Sequence, residues 1–177
     1  MSGDTAAMPP SEPIDIARAI NDAFAATPFA VIREVTAATS SMAEARERLN
    51  GLGHGQLAEI SDLLDQEIVV GETDIEGASI LSSGVDRGWD AWWRWFRAWF
   101  EPWTELTVEA YSYDALPGGV VLSDCHVNAT GEMSGVPTRL DLTQLWVVRA
   151  GMVTRYGIYS THEAAERAGE PLREAAR

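Results

Sequence analysis

The residues best suited to acid–base chemistry in this sequence lie on one short stretch. There Asp124, His126 and Asn128 alternate with Ser123, Cys125, Val127 and Ala129. In a strand, alternate residues share a face, so an Asp-x-His-x-Asn row would line one side of a sheet. On a pocket wall, His126 is the natural proton carrier at neutral pH, with Asp124 to assist it. The same row equally suits an exposed polar face, and alternation alone leaves both open. Arg139-x-Asp141 reads as an ion pair along a strand. His54, His126 and His162 lack ligand spacing, so no metal site is expected. Gly51, Gly53 and Gly55 do not follow a strand, which argues against a phosphate-cradling loop. Cys125 has no base patterned beside it and reads as a buried, inert thiol.

These side chains need a scaffold, and the composition describes one. The chain has 177 residues, 46% of them hydrophobic, which suits one domain with a real core. Its single cysteine excludes an internal disulfide. Net charge is −14, and every basic residue is arginine. An acidic surface without a basic cluster repels phosphates and anionic lipid, so neither nucleic acid nor membrane is expected as a partner. No apolar run is long enough to span a bilayer, and the first residues lack a signal-peptide layout; the cytoplasm is the expected compartment.

Along the chain, residues 1–13 are proline-rich and polar, and read as a disordered tail. Residues 14–40 carry helical spacing through Ile16, Ala17, Ile20 and Phe24. Thr27-Pro28 reads as a cap opening a second helix through Phe29, Ile32 and Val35. Both helices are expected outside the main core. Ser41 with Glu44 forms a capping box for a helix ending near Gly51. Leu57, Ile60, Leu63 and Leu64 stripe a short helix before a strand over 67–73. A polar loop over 74–88 follows.

The strongest pattern comes next. At about 100° per residue, Trp89, Trp92, Trp93, Phe96, Trp99, Phe100 and Trp103 fall within roughly 120° of one another, with Trp95 at the edge. Asp90, Arg94, Arg97 and Glu101 gather opposite. One helix face is an aromatic slab, from which Trp92, Phe96 and Trp99 are expected to wall an apolar pocket. The pattern then alternates through four strands up to Thr161, with turns at Gly118-Gly119, Glu132–Pro137 and Arg149-Ala150-Gly151. A terminal helix from His162 is expected to stop at Gly169, leaving 171–177 as a tail. Helices followed by a meander imply an α+β fold with an antiparallel sheet.

Leu57–Asp65, Ile68-Val69-Val70 and the Trp92-Trp93 helix, then Thr143–Val148, Gly151–Val153, Tyr159 and Glu163–Gly169, follow one another in a recognisable order. In that order and spacing the chain resembles the SnoaL-like branch of the nuclear transport factor 2-like superfamily, related to ketosteroid isomerases, limonene epoxide hydrolases and polyketide cyclases. The resemblance implies a cone: a curved antiparallel sheet, helices on its concave face, and a pocket in the mouth, within a domain over 41–170. It also implies a homodimer through the sheet. Aligned with the isomerases, Glu72 takes the place of the proton-abstracting base, with Asp74 two residues on, and the oxyanion-donor places fall on Arg48 and Thr143. The usual Tyr and Asp donors are missing. Against the epoxide hydrolases, Cys125, Val127 and Ile158 stand where charged residues are needed. The resulting expectation is a cofactor-independent cyclase or isomerase on a hydrophobic carbonyl or polyketide-like substrate. Glu72 would be the base, Asp124 or His126 would assist, and Arg48 or Thr143 would steady an oxyanion. The alternative is a non-catalytic domain that binds a small hydrophobic ligand or dimerises.

Overall fold

A computed structural model describes residues 12–75 and 85–174. The elements run α1 (Pro13–Ala26), α2 (Phe29–Ala38), α3 (Met42–Gly51), α4 (Gly55–Glu59) and a single 3₁₀ turn (Ile60–Leu63), then β1 (Leu64–Thr73) and β2 (Asp86–Arg87). After these come α5 (Trp89–Phe100), β3 (Trp103–Leu116), β4 (Val120–Gly131), β5 (Pro137–Arg149), β6 (Met152–Tyr159) and α6 (His162–Glu174). The expected tail over 1–13 and the loop over 74–88 fall largely outside the described residues.

The six strands form one open sheet, in the order β2-β1-β6-β5-β4-β3. All neighbours are antiparallel except β1 and β6. Ala150 and Gly151, both at positive φ (49° and 80°), make the two-residue hairpin between β5 and β6. Gly157 lets β1 lie close to β6: a Cβ there would meet the Glu72 carbonyl oxygen at 2.9 Å. A bulge at Tyr111 interrupts the β3–β4 register, a feature that bends a strand and increases its twist.

The sheet has two covered faces. Val121, Cys125, Val127, Trp146 and Val148 join the large core with α1–α5, whereas Val120, Leu122, Leu145 and Val147 pack under α6 with Ala165. This explains why Leu142–Val148 is buried without alternation. It also explains why β4 is buried on both faces only up to Ser123, alternating from Asp124 onward.

Several sequence expectations change. The N-terminal helices do not lie outside the core: Ile16, Ala17 and Ile20 are fully buried in it, because α1 lies directly over β3, β4 and β5. Thr27 closes α1 by donating to the Ala23 carbonyl at 2.8 Å, and Pro28 caps α2. Trp103 begins β3 rather than ending the aromatic helix, and Trp95 is buried rather than marginal. The terminal helix passes through Gly169 and Pro171 to Glu174. Ala164, Ala165, Ala168 and Leu172 are packed on the sheet, which outweighs a glycine penalty of about 1 kcal/mol. Ser41 caps α3 by accepting from the Glu44 N–H at 3.3 Å, and the Glu44 carboxylate reaches back to the Ser40 N–H at 2.7 Å.

Candidate functional site

Between the aromatic helix and the sheet lies a cavity of about 580 Å³. That is within the roughly 300–1,000 Å³ of small-molecule sites. Trp92, Trp95, Phe96, Trp99 and Phe100 of α5 form one wall, and Phe24, the α1–α2 junction and Phe29 form another. The edge strand β3 contributes Leu106 to Glu109. The rings support one another: Trp95 stacks on Trp99 at 6.1 Å, and Tyr156 meets Trp92 and Trp95 edge-on at 5.1 and 5.2 Å. Such contacts make a rigid wall.

One end of the cavity is polar and contains no charge. Asn21 of α1, Gln144 of β5 and Tyr156 of β6 line it. Asn21 Nδ2 donates to Gln144 Oε1 at 3.0 Å and to the Tyr113 hydroxyl at 3.1 Å. Gln144 Nε2 donates to the Tyr156 hydroxyl at 3.2 Å. Behind them, Trp146 Nε1 donates to Ser123 Oγ at 3.0 Å, and Ser123 Oγ donates to Gln144 Oε1 at 2.7 Å. Burial pushes the Tyr156 phenol well above its ordinary pKa, so it stays protonated. Burial likewise pushes the Cys125 thiol up to about 12.

Of the residues singled out from sequence, Trp92, Phe96 and Trp99 line this cavity. Glu72 does not; its carboxylate is paired with Arg155, half-buried beside β6. Arg48 is exposed on α3 and bonded to Glu34 at 2.8 Å. Asp124 and Thr143 are brought together on the opposite face of the sheet, where Thr143 Oγ1 donates to Asp124 at 2.7 Å. Ser112 donates to the same carboxylate at 2.8 Å, and His162 Nδ1 lies 3.0 Å from it. Burial alone would raise the Asp124 carboxyl, but these hydrogen bonds outweigh it and hold the group below the ordinary carboxylate range. His126 is on that face too, stacked on Tyr111 and 2.6 Å from Asp141. The parity left open by the sequence thus turns the Asp124–His126–Asn128 row away from the cavity.

Asp114, Asp124 and His162 bring three possible metal donors within 4.8 Å of one another, but both Asp124 oxygens already accept hydrogen bonds. Among the described residues lining the cavity, Glu109 is the only carboxylate, and its register partner is His126.

Sequence reasoning missed Asn21, Ser123, Gln144 and Tyr156. A signal was there: Asn21 interrupts the apolar stripe of α1, and Ser123 and Gln144 interrupt the apolar faces of β4 and β5. A polar residue on a face that must be buried needs a partner.

No protein-family model and no curated protein matches the chain. Solved structures do match. An NTF2-like protein of unknown function from Exiguobacterium sp. 255-15 aligns with a TM-score of 0.54 at 13% identity, over 83% of this chain and 98% of that one. An NTF2-like protein from Anabaena variabilis aligns at 0.49 and 14% identity, over 68% and 87%. A proposed SnoaL-like polyketide cyclase from Mesorhizobium loti aligns at 0.43 and 19% identity, over 67% and 95%. At such identities the likeness establishes architecture: the chain has the nuclear transport factor 2-like fold, an α+β cone. Among the described residues no helix is long and apolar enough to cross a membrane.

Proposed function

We propose that this protein binds an uncharged, hydrophobic small molecule with an oxygen-bearing end in the cavity beneath the aromatic helix. The observation carrying this reading is the cavity itself: aromatic walls leading to a neutral polar end at Asn21, Gln144 and Tyr156. Burying an unpaired charge there would be costly, whereas an apolar body displaces water from apolar walls and a carbonyl finds a hydrogen bond. Titration with fluorenone, followed by tryptophan fluorescence, tests it. The expected result is a saturable change at micromolar ligand; no saturable change up to the solubility limit overturns the reading.

A second reading has one observation in its favour. Tyr156 is a buried phenol held protonated at the cavity's end, the kind of donor that stabilises a developing enolate oxygen. In a cofactor-independent cyclase or isomerase acting on a hydrophobic carbonyl or polyketide-like substrate, Tyr156 would serve as that oxyanion donor. Glu72, Asp124 and His126 stand elsewhere, and Glu109, as the register partner of His126, presents its side chain to the outer face, so this reading has a donor but no protein base among the described lining residues. Exchange of α-protons of a bound aromatic ketone for deuterium, lost in Tyr156→Phe, would favour this reading. Binding without exchange favours the first.

A further inference from the structure

The hydrogen bonds behind the cavity have a direction, and two groups fix it. The Trp146 indole N–H can only donate, and it donates to Ser123 Oγ at 3.0 Å. Ser123 is completely buried, so its own proton must go to a protein acceptor, and Gln144 Oε1 stands 2.7 Å away. Turning the Gln144 amide over would aim an N–H at an oxygen already receiving the indole and strand the serine proton. The amide is therefore fixed with its oxygen toward Ser123, an assignment made by the network as a whole.

The consequences run outward. Gln144 Oε1 also receives Asn21 Nδ2, so the Asn21 amide is fixed with its nitrogen toward Gln144 and Tyr113. Asn21 Oδ1 then has no partner among the described residues, although Asn21 lines the cavity. Gln144 Nε2 donates to the Tyr156 hydroxyl, which makes that oxygen an acceptor. The phenol proton has no acceptor among the described residues. The relay thus leaves the Tyr156 proton as an unused donor and Asn21 Oδ1 as an unused acceptor, while the second Gln144 Nε2 proton and the Tyr113 hydroxyl proton likewise have no acceptor among the described residues.

We propose that Trp146 and Ser123 act as positioning residues that set the polarity of the cavity, so that Tyr156 presents a donor and Asn21 an acceptor to the ligand. The complementary ligand end is a carbonyl-type oxygen for Tyr156 with a hydroxyl or N–H for Asn21. This rests on the cavity being a ligand site. Nothing charged lines the polar end, so ionised acids and amines are disfavoured there.

The test compares fluorene, fluorenone and a hydroxyfluorenone by calorimetry on the full chain. They share a flat aromatic body and differ in the polar groups they offer. Fluorenone is expected to bind about five- to tenfold tighter than fluorene, the usual worth of one hydrogen bond. The hydroxyfluorenone isomer whose hydroxyl reaches Asn21 should bind at least as tightly. Tyr156→Phe should bring the fluorenone-to-fluorene ratio close to one. Ser123→Ala, which cannot touch the ligand, should also shrink that ratio by freeing the Gln144 amide to turn. A merely structural loss would weaken both ligands equally and leave the ratio unchanged, which would overturn the role given to Ser123. If Ser123→Ala does not fold, the wild-type ratio and the near-isosteric Tyr156→Phe still decide the donor assignment. Equal binding of fluorene and fluorenone to wild type sinks the polarity argument but leaves the cavity reading intact. If no probe binds, the cavity reading fails and this inference with it.

Discussion

Ser123 pairs with Gln144 across β4 and β5, and one step along the ladder Asp124 pairs with Thr143. The two pairs are neighbours in sequence and register, yet they face opposite sides of the sheet. The inward pair is a hydroxyl and an amide, neutral, covered by α1 and Trp146, and bonded onward to Tyr156 and Asn21. The outward pair is a carboxylate and a hydroxyl at the margin of α6, with Ser112 and His162 around them. The dry side carries neutral groups because an isolated charge there costs far more than an amide that finds its partners. Where water is close, a carboxylate can be kept and its hydrogen bonds are strengthened by its charge. The chemistry available to a buried ligand is therefore set by amides and a phenol, while the conspicuous acids hold the outer face together.

The largest effect is expected where the inner cluster is anchored. Trp146 is almost wholly buried, packs on Tyr156 at 4.4 Å between ring centroids and donates to Ser123. Trp146→Ala should cost about 3–5 kcal/mol in denaturant melts, as for other large aromatics removed from cores. A loss under about 1 kcal/mol would show that this side is not the covered, close-packed one.

Asp124→Asn is the matching change on the outer face. It keeps the shape and removes the charge that strengthens the bonds from Thr143, Ser112 and His162. A loss of about 1–3 kcal/mol is expected, with fluorenone affinity unchanged because the sheet separates this cluster from the cavity. If ligand affinity moved with Asp124, the two faces would be coupled and the comparison would break.

The fold was more legible in sequence than the site. The aromatic helix, the meander and the capped α3 follow from local periodicity and capping chemistry, which a sequence displays directly. The position of α1 did not follow: its stripe of Ile16, Ala17 and Ile20 says that one face is buried but not against what. Gly169 misled for a related reason, since local propensity predicts a stop and packing on Val120 and Leu145 continues the helix. The site was harder because ionisable residues attract attention, and register decides their direction. Asp124 and His126 were correctly placed on one face, and no local pattern told which face meets the cavity. Asn21, Ser123 and Gln144 gain meaning only when α1, β4 and β5 bring them together, although each was visible as a polar break in an apolar row.

The smallest effect is a pH dependence that belongs to the outer face alone. Burial would raise the Asp124 carboxyl, but hydrogen bonds from Thr143, Ser112 and His162 prevail and lower it in the folded protein. The charged form is therefore favoured more in the folded chain than in the unfolded one, where an aspartate titrates near about 3.9. The folded state then gains stability above that pH and loses it as pH falls from about 4 toward the lower folded value. The neighbouring Asp114, 3.7 Å from His162, and His162 itself face the same carboxylate, and both are retained in Asp124→Asn. The gap between urea melts of wild type and Asp124→Asn should narrow as pH falls below about 4. The inner cluster offers no carboxylate to protonate in that range, so Tyr156→Phe should show a gap from wild type that does not change with pH there. A gap for Asp124→Asn that is equally flat would mean that the outer carboxylate is no better held folded than unfolded, and the contrast between the two faces would lose its electrostatic half.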